Sequence, residues 1–177
     1  MDKNQDTKRL FFGLALPNDK KDLISNWLSE SVSSTRKPVR KANLHLTLAF
    51  LPNVNTINEK KLVEFANQII ATPFKLRFSQ TDYWQKTGVF FLKPDTTPKA
   101  LSHLAHKLRD KGEALGIYNN PFAYHPHITL MRGCKQQPIE IKTLQPIEVS
   151  FTQFTLFHST RIENTLCYRP IRSFSLD

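Results

Sequence analysis

Cysteine is scarce in this chain, and so are glycine and long apolar runs. Only Cys134 and Cys167 occur among 177 residues, and they form no C-x-x-C pair. A zinc knuckle and a dithiol redox motif are thereby excluded. Five glycines are present, and none builds a Gly-rich phosphate loop after a strand pattern. Apolar runs such as Leu10 to Leu16 fall far short of the roughly 20 residues of a membrane span. The N-terminal stretch Met1 to Arg9 is polar, with no apolar signal core after it. These absences lead us to expect a cytoplasmic protein with no membrane partner.

Acidic residues are also outnumbered, 15 against 25 Lys and Arg, for a net charge of +10. A basic surface attracts polyanions, nucleic acid first among them. Small phosphates and anionic membranes compete for that role, but no basic amphipathic helix favours the membrane. A hydrophobic content of 40% is that of a globular domain.

The apolar pattern alternates between strand and helix periods. Residues 9 to 16 read as a strand, broken by Pro17-Asn18-Asp19, which offers helix caps. Leu23, Ile24, Trp27 and Leu28 predict a helix over about 19–31. Leu44 to Leu51 is a second strand, closed by Pro52 and Asn53. Leu62, Phe65, Ala66, Ile69 and Ile70 mark a second helix, with Asn58 as candidate cap. Phe74, Leu76 and Phe78 alternate as a strand, and Tyr83-Trp84 and Val89 to Leu92 suggest two short strands around Gly88. Thr97-Pro98 starts a third helix, striped by Leu101, Leu104, Ala105, Leu108 and Leu115 and stopped by Gly116. Strands at 127–131, 147–151, 154–160 and 165–171 complete the chain. This order predicts a single α+β domain over residues 1–177 with largely antiparallel sheet.

Two of the six histidines open nearly identical tetrads, His45-Leu46-Thr47-Leu48 and His127-Ile128-Thr129-Leu130. Six histidines and 15 threonines give roughly 0.5 His-x-Thr triplets by chance, and roughly 0.08 once both intervening positions must be apolar. A duplication therefore calls for an explanation. A single copy is most simply a hydrogen-bonded face of a sheet; the pair points to catalysis. Alternation puts His45 with Thr47 on one face, and His127 with Thr129 on another. If the two strands sit across a groove, two imidazoles and two hydroxyls converge. Histidine titrates near neutrality, so one imidazole can take a proton from water while one imidazolium protonates a departing oxygen. Threonine hydroxyls can donate to the non-bridging phosphate oxygens. That chemistry hydrolyses a phosphodiester without metal or cofactor.

The tetrads resemble the signature of the two-histidine (2H) phosphoesterase superfamily. RLFFGLALP, NLHLTLAFL and HPHITLMR extend the likeness along nearly the whole chain to the RNA 2',3'-cyclic phosphodiesterase family, historically called 2'-5' RNA ligases. The resemblance implies a bilobal fold, two pseudo-symmetric α+β lobes with the motifs in a central cleft. It implies opening of a 2',3'-cyclic phosphate, on an RNA 3' end or a nucleotide, to a 2'-phosphate. It further implies His45 as proton donor, His127 as proton acceptor, and phosphate contacts from Thr47, Thr129 and Arg132. One departure is Pro52, where the family commonly has glycine; the change is expected in a turn.

Other candidates carry weaker signals. Arg40 and Lys41 precede the first motif and read as a solvated pair. Phe50 falls off the His/Thr face by alternation and is expected in the core. Tyr83, Trp84, Phe122 and Tyr124 could stack on a base, but burial is the simpler expectation for each. His125 could support His127. His103 and His106 lie three apart on a helix, with no carboxylate or cysteine pattern to complete a metal site. The alternatives kept open are a 2'-5' phosphodiesterase or ligase and a non-catalytic RNA-binding module. A monomer is expected.

Overall fold

The computed structural model describes residues 6–177, so the first five residues of the polar N-terminal stretch lie outside the described residues. The chain begins with strand β1 (Lys8–Ala15), helix α1 (Asn18–Ser31) and a two-residue strand β2 (Val32–Ser33). A 3-10 turn (Lys41–Asn43) leads into β3 (His45–Val54), followed by helix α2 (Thr56–Asn67) and the hairpin β4 (Phe74–Trp84)/β5 (Val89–Pro94). Helix α3 (Lys99–Ala114) precedes β6 (Ile128–Met131), β7 (Ile139–Glu140), β8 (Ile147–Phe151), β9 (Gln153–Ile162) and β10 (Thr165–Ser175). The fold is α+β, as expected. No helix among the described residues is long and apolar enough to cross a membrane.

Eight strands form one antiparallel sheet in the order β10-β9-β1-β3-β6-β5-β4-β8, and β2 pairs with β7. Its two four-strand halves meet where β3 pairs with β6, at the single register pair Leu46–Ile128. Each half repeats a strand–helix–strand unit: β1-α1-β3 in one, β5-α3-β6 in the other. The repeat extends to the helix starts. Both helices have proline at the N-cap, Pro17 and Pro98, with no side-chain cap. Neither Asn18, Asp19 nor Thr97 is therefore the cap. Proline has no N–H to satisfy, and its carbonyl starts the ladder by accepting from Lys20 and Lys21 in α1 and from Ser102 in α3.

The helices bury the faces their periodicity dictates. Ile24, Trp27, Leu28 and Ser31 turn inward from α1, and Leu101, Leu104, Ala105 and Leu108 from α3. Leu23 falls off the α1 stripe, at 51% exposure. The second helix starts earlier than its apolar pattern suggests. Asn55 is its cap, accepting from the Asn58 amide at 2.8 Å, and Ile69 and Ile70 lie beyond its end. Gly116, at φ +68°, closes α3: its amide donates to Glu113 and that of Ile117 to Gly112.

Two strand boundaries differ from the sequence pattern, each for a reason of register. Pro52 and Asn53 do not end β3, which runs on to Val54. The partners of Leu10 and Lys8 are Leu51 and Val54, so β3 carries an extra residue there. Pro52 sits inside that irregularity, where the missing N–H costs no ladder bond; it is not in a turn. Tyr83-Trp84 is not a separate strand but the end of β4, which changes partner near Phe78, from β8 to β5. The short β2/β7 pair has too little apolar alternation to be visible in sequence.

The β4/β5 hairpin depends on Gly88, at φ +66°. A Cβ there would lie 2.7 Å from the Cys134 carbonyl oxygen, and the Cys134 amide donates to the Gly88 carbonyl at 2.9 Å. Gly88→Ala should therefore lower stability by about 1–3 kcal/mol through backbone strain alone. Denaturant unfolding checks this; an unchanged midpoint would mean the turn relaxes freely.

Candidate active site

The site grows from the Leu46–Ile128 pair. Leu46 and Ile128 are fully buried, so the residues flanking each turn to the opposite face. Continuing the antiparallel register one residue either way sets His45 opposite Thr129 and Thr47 opposite His127. Each histidine thus faces the other motif's threonine, and the two imidazoles are diagonal neighbours. Diagonal positions in a sheet are separated by roughly 7–8 Å, which leaves room for a phosphate. The motifs are neighbouring strands of one sheet, rather than opposite walls of a groove.

Both tetrads end in the same irregularity. Phe12 and Gly13 pair with Ala49 and Thr47, skipping Leu48. Phe90 and Phe91 pair with Met131 and Thr129, skipping Leu130. Each bulge puts two consecutive residues into the core, Leu48 with Ala49 and Leu130 with Met131. The parity of β3 flips beyond it. Phe50, expected in the core, instead shares the open face with Thr47 and lines a cavity there; the Arg9 guanidinium lies 4.7 Å over its ring.

The imidazoles are held alike. His45 Nδ1 lies 2.7 Å from the Asn43 carbonyl oxygen, and His127 Nδ1 lies 2.7 Å from that of His125. A carbonyl only accepts, so Nδ1 carries the hydrogen in both rings and Nε2 faces the site. The Thr47 hydroxyl is 2.9 Å from His45 Nε2 and donates to it while the ring is neutral. Asn43 is itself fixed, its side-chain amide donating to the Leu166 carbonyl at 2.9 Å. His125 holds the His127 ring by its backbone carbonyl, and its own side chain is exposed.

Aromatic rings pack around each imidazole. Phe11 and Tyr168 flank His45 at 4.7 and 4.9 Å between centroids. Trp84 and Phe91 flank His127 at 4.7 and 5.3 Å, both edge-on. Phe11, Phe91 and Tyr168 had no signal of their own in the sequence. The Phe-Phe doublets of β1 and β5, at 11–12 and 90–91, are a further trace of the repeat outside the tetrads, beside Pro17 and Pro98.

Burial dominates the electrostatics. It pushes His45 down to about 4, against the Asn43 carbonyl, which raises it; the charges of Arg132, His127 and Lys21 lower it further. His127 is also lowered by burial, opposed by the His125 carbonyl and reinforced by Arg132 and His125. Both rings are neutral at pH 7 without ligand. The charge of Arg132 bears on both rings. Burial likewise raises the Tyr168 phenol, opposed by Arg132 and Arg9.

A cavity of about 780 Å³ opens at the Thr47–His127 end. His45, Thr129 and Arg132 do not line it. Trp84 and Phe122 do, and neither is buried as expected: they are 36% and 74% exposed. Tyr83 and Tyr124 are half-buried; their hydroxyls donate to the carbonyls of Cys134 and Thr47. Lys41 pairs with Asp22 at 2.6 Å, and Arg40 donates to the Leu166 carbonyl. His103 and His106 lie exposed on α3. No group of three or more histidines, cysteines or carboxylates suited to a metal occurs among the described residues.

Comparison with known proteins gives the chain a family. The profile of the 2'-5' RNA ligase superfamily matches residues 21–163. The RNA 2',3'-cyclic phosphodiesterase of Escherichia coli K12 is 32% identical over 174 residues, covering 96% of this chain and 97% of that one. The crystal structure of E. coli LigT complexed with 3'-AMP superposes with a TM-score of 0.91 at 31% identity, covering 97% of this chain and 99% of the other. Protein TT0787 of Thermus thermophilus gives a TM-score of 0.75 at 25% identity over 95% and 97% of the two chains. Family profile, sequence identity and fold agree: the protein belongs to the 2'-5' RNA ligase superfamily.

Proposed function

We propose that this protein is an RNA 2',3'-cyclic phosphodiesterase, which opens a terminal 2',3'-cyclic phosphate to a 2'-phosphate. The observation that carries the reading is the matched pair of imidazoles, diagonal across the Leu46–Ile128 pair and each with Nδ1–H on a backbone carbonyl. The activity of the E. coli relative supports it. Both motifs come from one chain, so a single copy holds a complete set of groups.

A phosphodiester anion binds between the strands, held by the Thr47 and Thr129 hydroxyls and the Arg132 guanidinium. Its charge offsets the burial that keeps both rings neutral, since an opposite charge within about 4–6 Å raises a histidine pKa. One proton then resides on the pair. His127 Nε2 takes a proton from water as its oxygen attacks phosphorus. His45 Nε2 gives a proton to O3' as the P–O3' bond breaks. The Nδ1–carbonyl bonds persist through the cycle and stabilise whichever ring is cationic.

His45→Ala and His127→Ala should each lower turnover of an RNA ending in 2',3'-cyclic phosphate by about 100–10,000-fold, with RNA binding retained. Turnover surviving in either variant would remove that histidine from the chemistry; a parent that binds RNA without turning over would favour the binding module.

The pH dependence follows from the depressed histidines. The productive free enzyme carries one proton over two groups whose ordinary value is about 6.5 and which burial lowers. The profile of kcat/KM should therefore centre below pH 6.5 and fall as pH rises through neutrality. The kcat profile should lie at higher pH, because bound phosphate raises both groups. Arg132→Ala removes a cation that lowers both, so it should move the kcat/KM profile upward in pH while raising KM. Parallel pH–rate series on both proteins check this; a downward move would contradict the placement of Arg132.

A further inference from the structure

The two connections that lead into the motif strands have opposite chemistry. Residues 34–44 lead into β3, and residues 115–127 lead into β6. The second connection carries no lysine or arginine. The first holds Arg36, Lys37, Arg40 and Lys41 within six residues, and no aspartate or glutamate occurs between Glu30 and Glu59. All four cations are exposed. The basic connection is a strap tied down along its length. Arg36 Nε donates to the Arg132 carbonyl at 3.3 Å, and its guanidinium lies against Gly133, where a Cβ would come within 3.2 Å of it. Pro38 bridges to Met131, and the Val39 amide donates to the Leu130 carbonyl at 2.7 Å. Arg40 donates to the Leu166 carbonyl at 3.2 Å. From α1, Lys21 donates to the Ala42 carbonyl at 3.2 Å. The strap ends at Asn43, whose carbonyl holds the His45 ring. It therefore runs from the backbone of Arg132 to the imidazole of His45. Carbonyl acceptors leave Arg36 and Arg40 their full charge. Lys41 meets a carboxylate, Asp22 at 2.6 Å, in a pair about half exposed on both sides.

We infer that residues 36–41 are an RNA-backbone surface, which holds the phosphates on the 5' side of the reacting ribose. The inference rests on the phosphodiesterase reading and names the part of the protein that tells an RNA end from a free cyclic nucleotide. An RNA with a cyclic phosphate at its 3' end has every other phosphate on its 5' side. A nucleoside 2',3'-cyclic phosphate has none. Of the two connections beside the centre, the one without lysine or arginine offers those phosphates no cation, and the strap offers four. Its backbone is already fixed on β6, so binding orders side chains and little main chain. Each cation that meets a phosphate releases counterions, which makes the contact dependent on salt. The catalytic groups act on the terminal phosphate alone, so the strap governs affinity for the longer substrate and leaves the chemical step to the imidazoles.

Steady-state kinetics over a range of salt tests the strap, with a short RNA ending in 2',3'-cyclic phosphate set against adenosine 2',3'-cyclic phosphate. In the parent, kcat/KM on the RNA should exceed that on the mononucleotide and fall more steeply with salt. The double variant Lys37→Ala/Arg40→Gln removes two exposed cations and keeps an N–H donor for the Leu166 carbonyl. On RNA it should lower the slope of log kcat/KM against log salt by about 1.4, at about 0.7 per single-strand phosphate contact. On the mononucleotide it should change nothing. Lys60→Ala/Lys61→Ala removes the same charge from exposed positions of α2 and should leave both substrates as they are. Equal slopes for the two substrates in the parent would overturn the inference. So would an RNA slope that falls as much in the α2 variant as in the strap variant, since net charge alone would then explain it. A parent that turns over neither substrate would count against the phosphodiesterase reading. Fluorescence anisotropy of a 5'-labelled RNA with the same variants then decides the strap separately: RNA binding equally dependent on salt in parent and strap variant would overturn it.

Discussion

The contact of Leu46 with Ile128 is the constraint on which the site depends. It is the one register pair joining the two halves of the sheet, and both side chains are fully buried. A slip of one residue in either strand at this seam would turn that strand's histidine and threonine into the core and its aliphatics into solvent. The cost of burying an imidazole and a hydroxyl without partners adds to the apolar packing in fixing the register. Catalytic geometry and core packing are thus set by the same pair of residues.

From that seam the rest follows by near-symmetry. Each motif strand is paired with the first strand of its own strand–helix–strand unit, and each pairing bulges at the fourth tetrad residue. The bulges turn the following segment, which puts Phe50 on the open face. Each ring has its Nδ1 on the carbonyl two residues earlier. The aromatic rings around each imidazole exclude water, and that desolvation is the largest cause of the depressed basicity. A neutral, preoriented pair is the state that a phosphodiester anion can charge.

Much of this was legible in the sequence because it is local. The His-x-Thr tetrads, the three helices and most strands are patterns of period 2 or 3.6 within a few residues. What escaped was non-local. Phe50 leaves the core because of a bulge, which is a property of the pairing with β1 and leaves no mark on β3 alone. The same holds for Pro52, tolerated within a strand because its partner strand is one residue short there. Trp84 and Phe122 look like core by composition; their exposure arises from a cavity built by distant segments. Tyr168 reaches His45 across a sheet edge that sequence spacing does not foretell. The caps of α1 and α3 differ from the sequence signal for a local reason, since proline itself takes the N-cap.

The most direct test of paired-histidine chemistry is the fate of a short RNA ending in a 2',3'-cyclic phosphate, incubated with the purified protein in EDTA. Two imidazoles acting as acid and base predict complete opening of the cyclic end, undiminished by the chelator, and His45 as the acid toward O3' predicts a 2'-phosphate. A 3'-phosphate would reverse the placement of the leaving oxygen. An intact cyclic end, with the protein folded, would contradict the account at its centre.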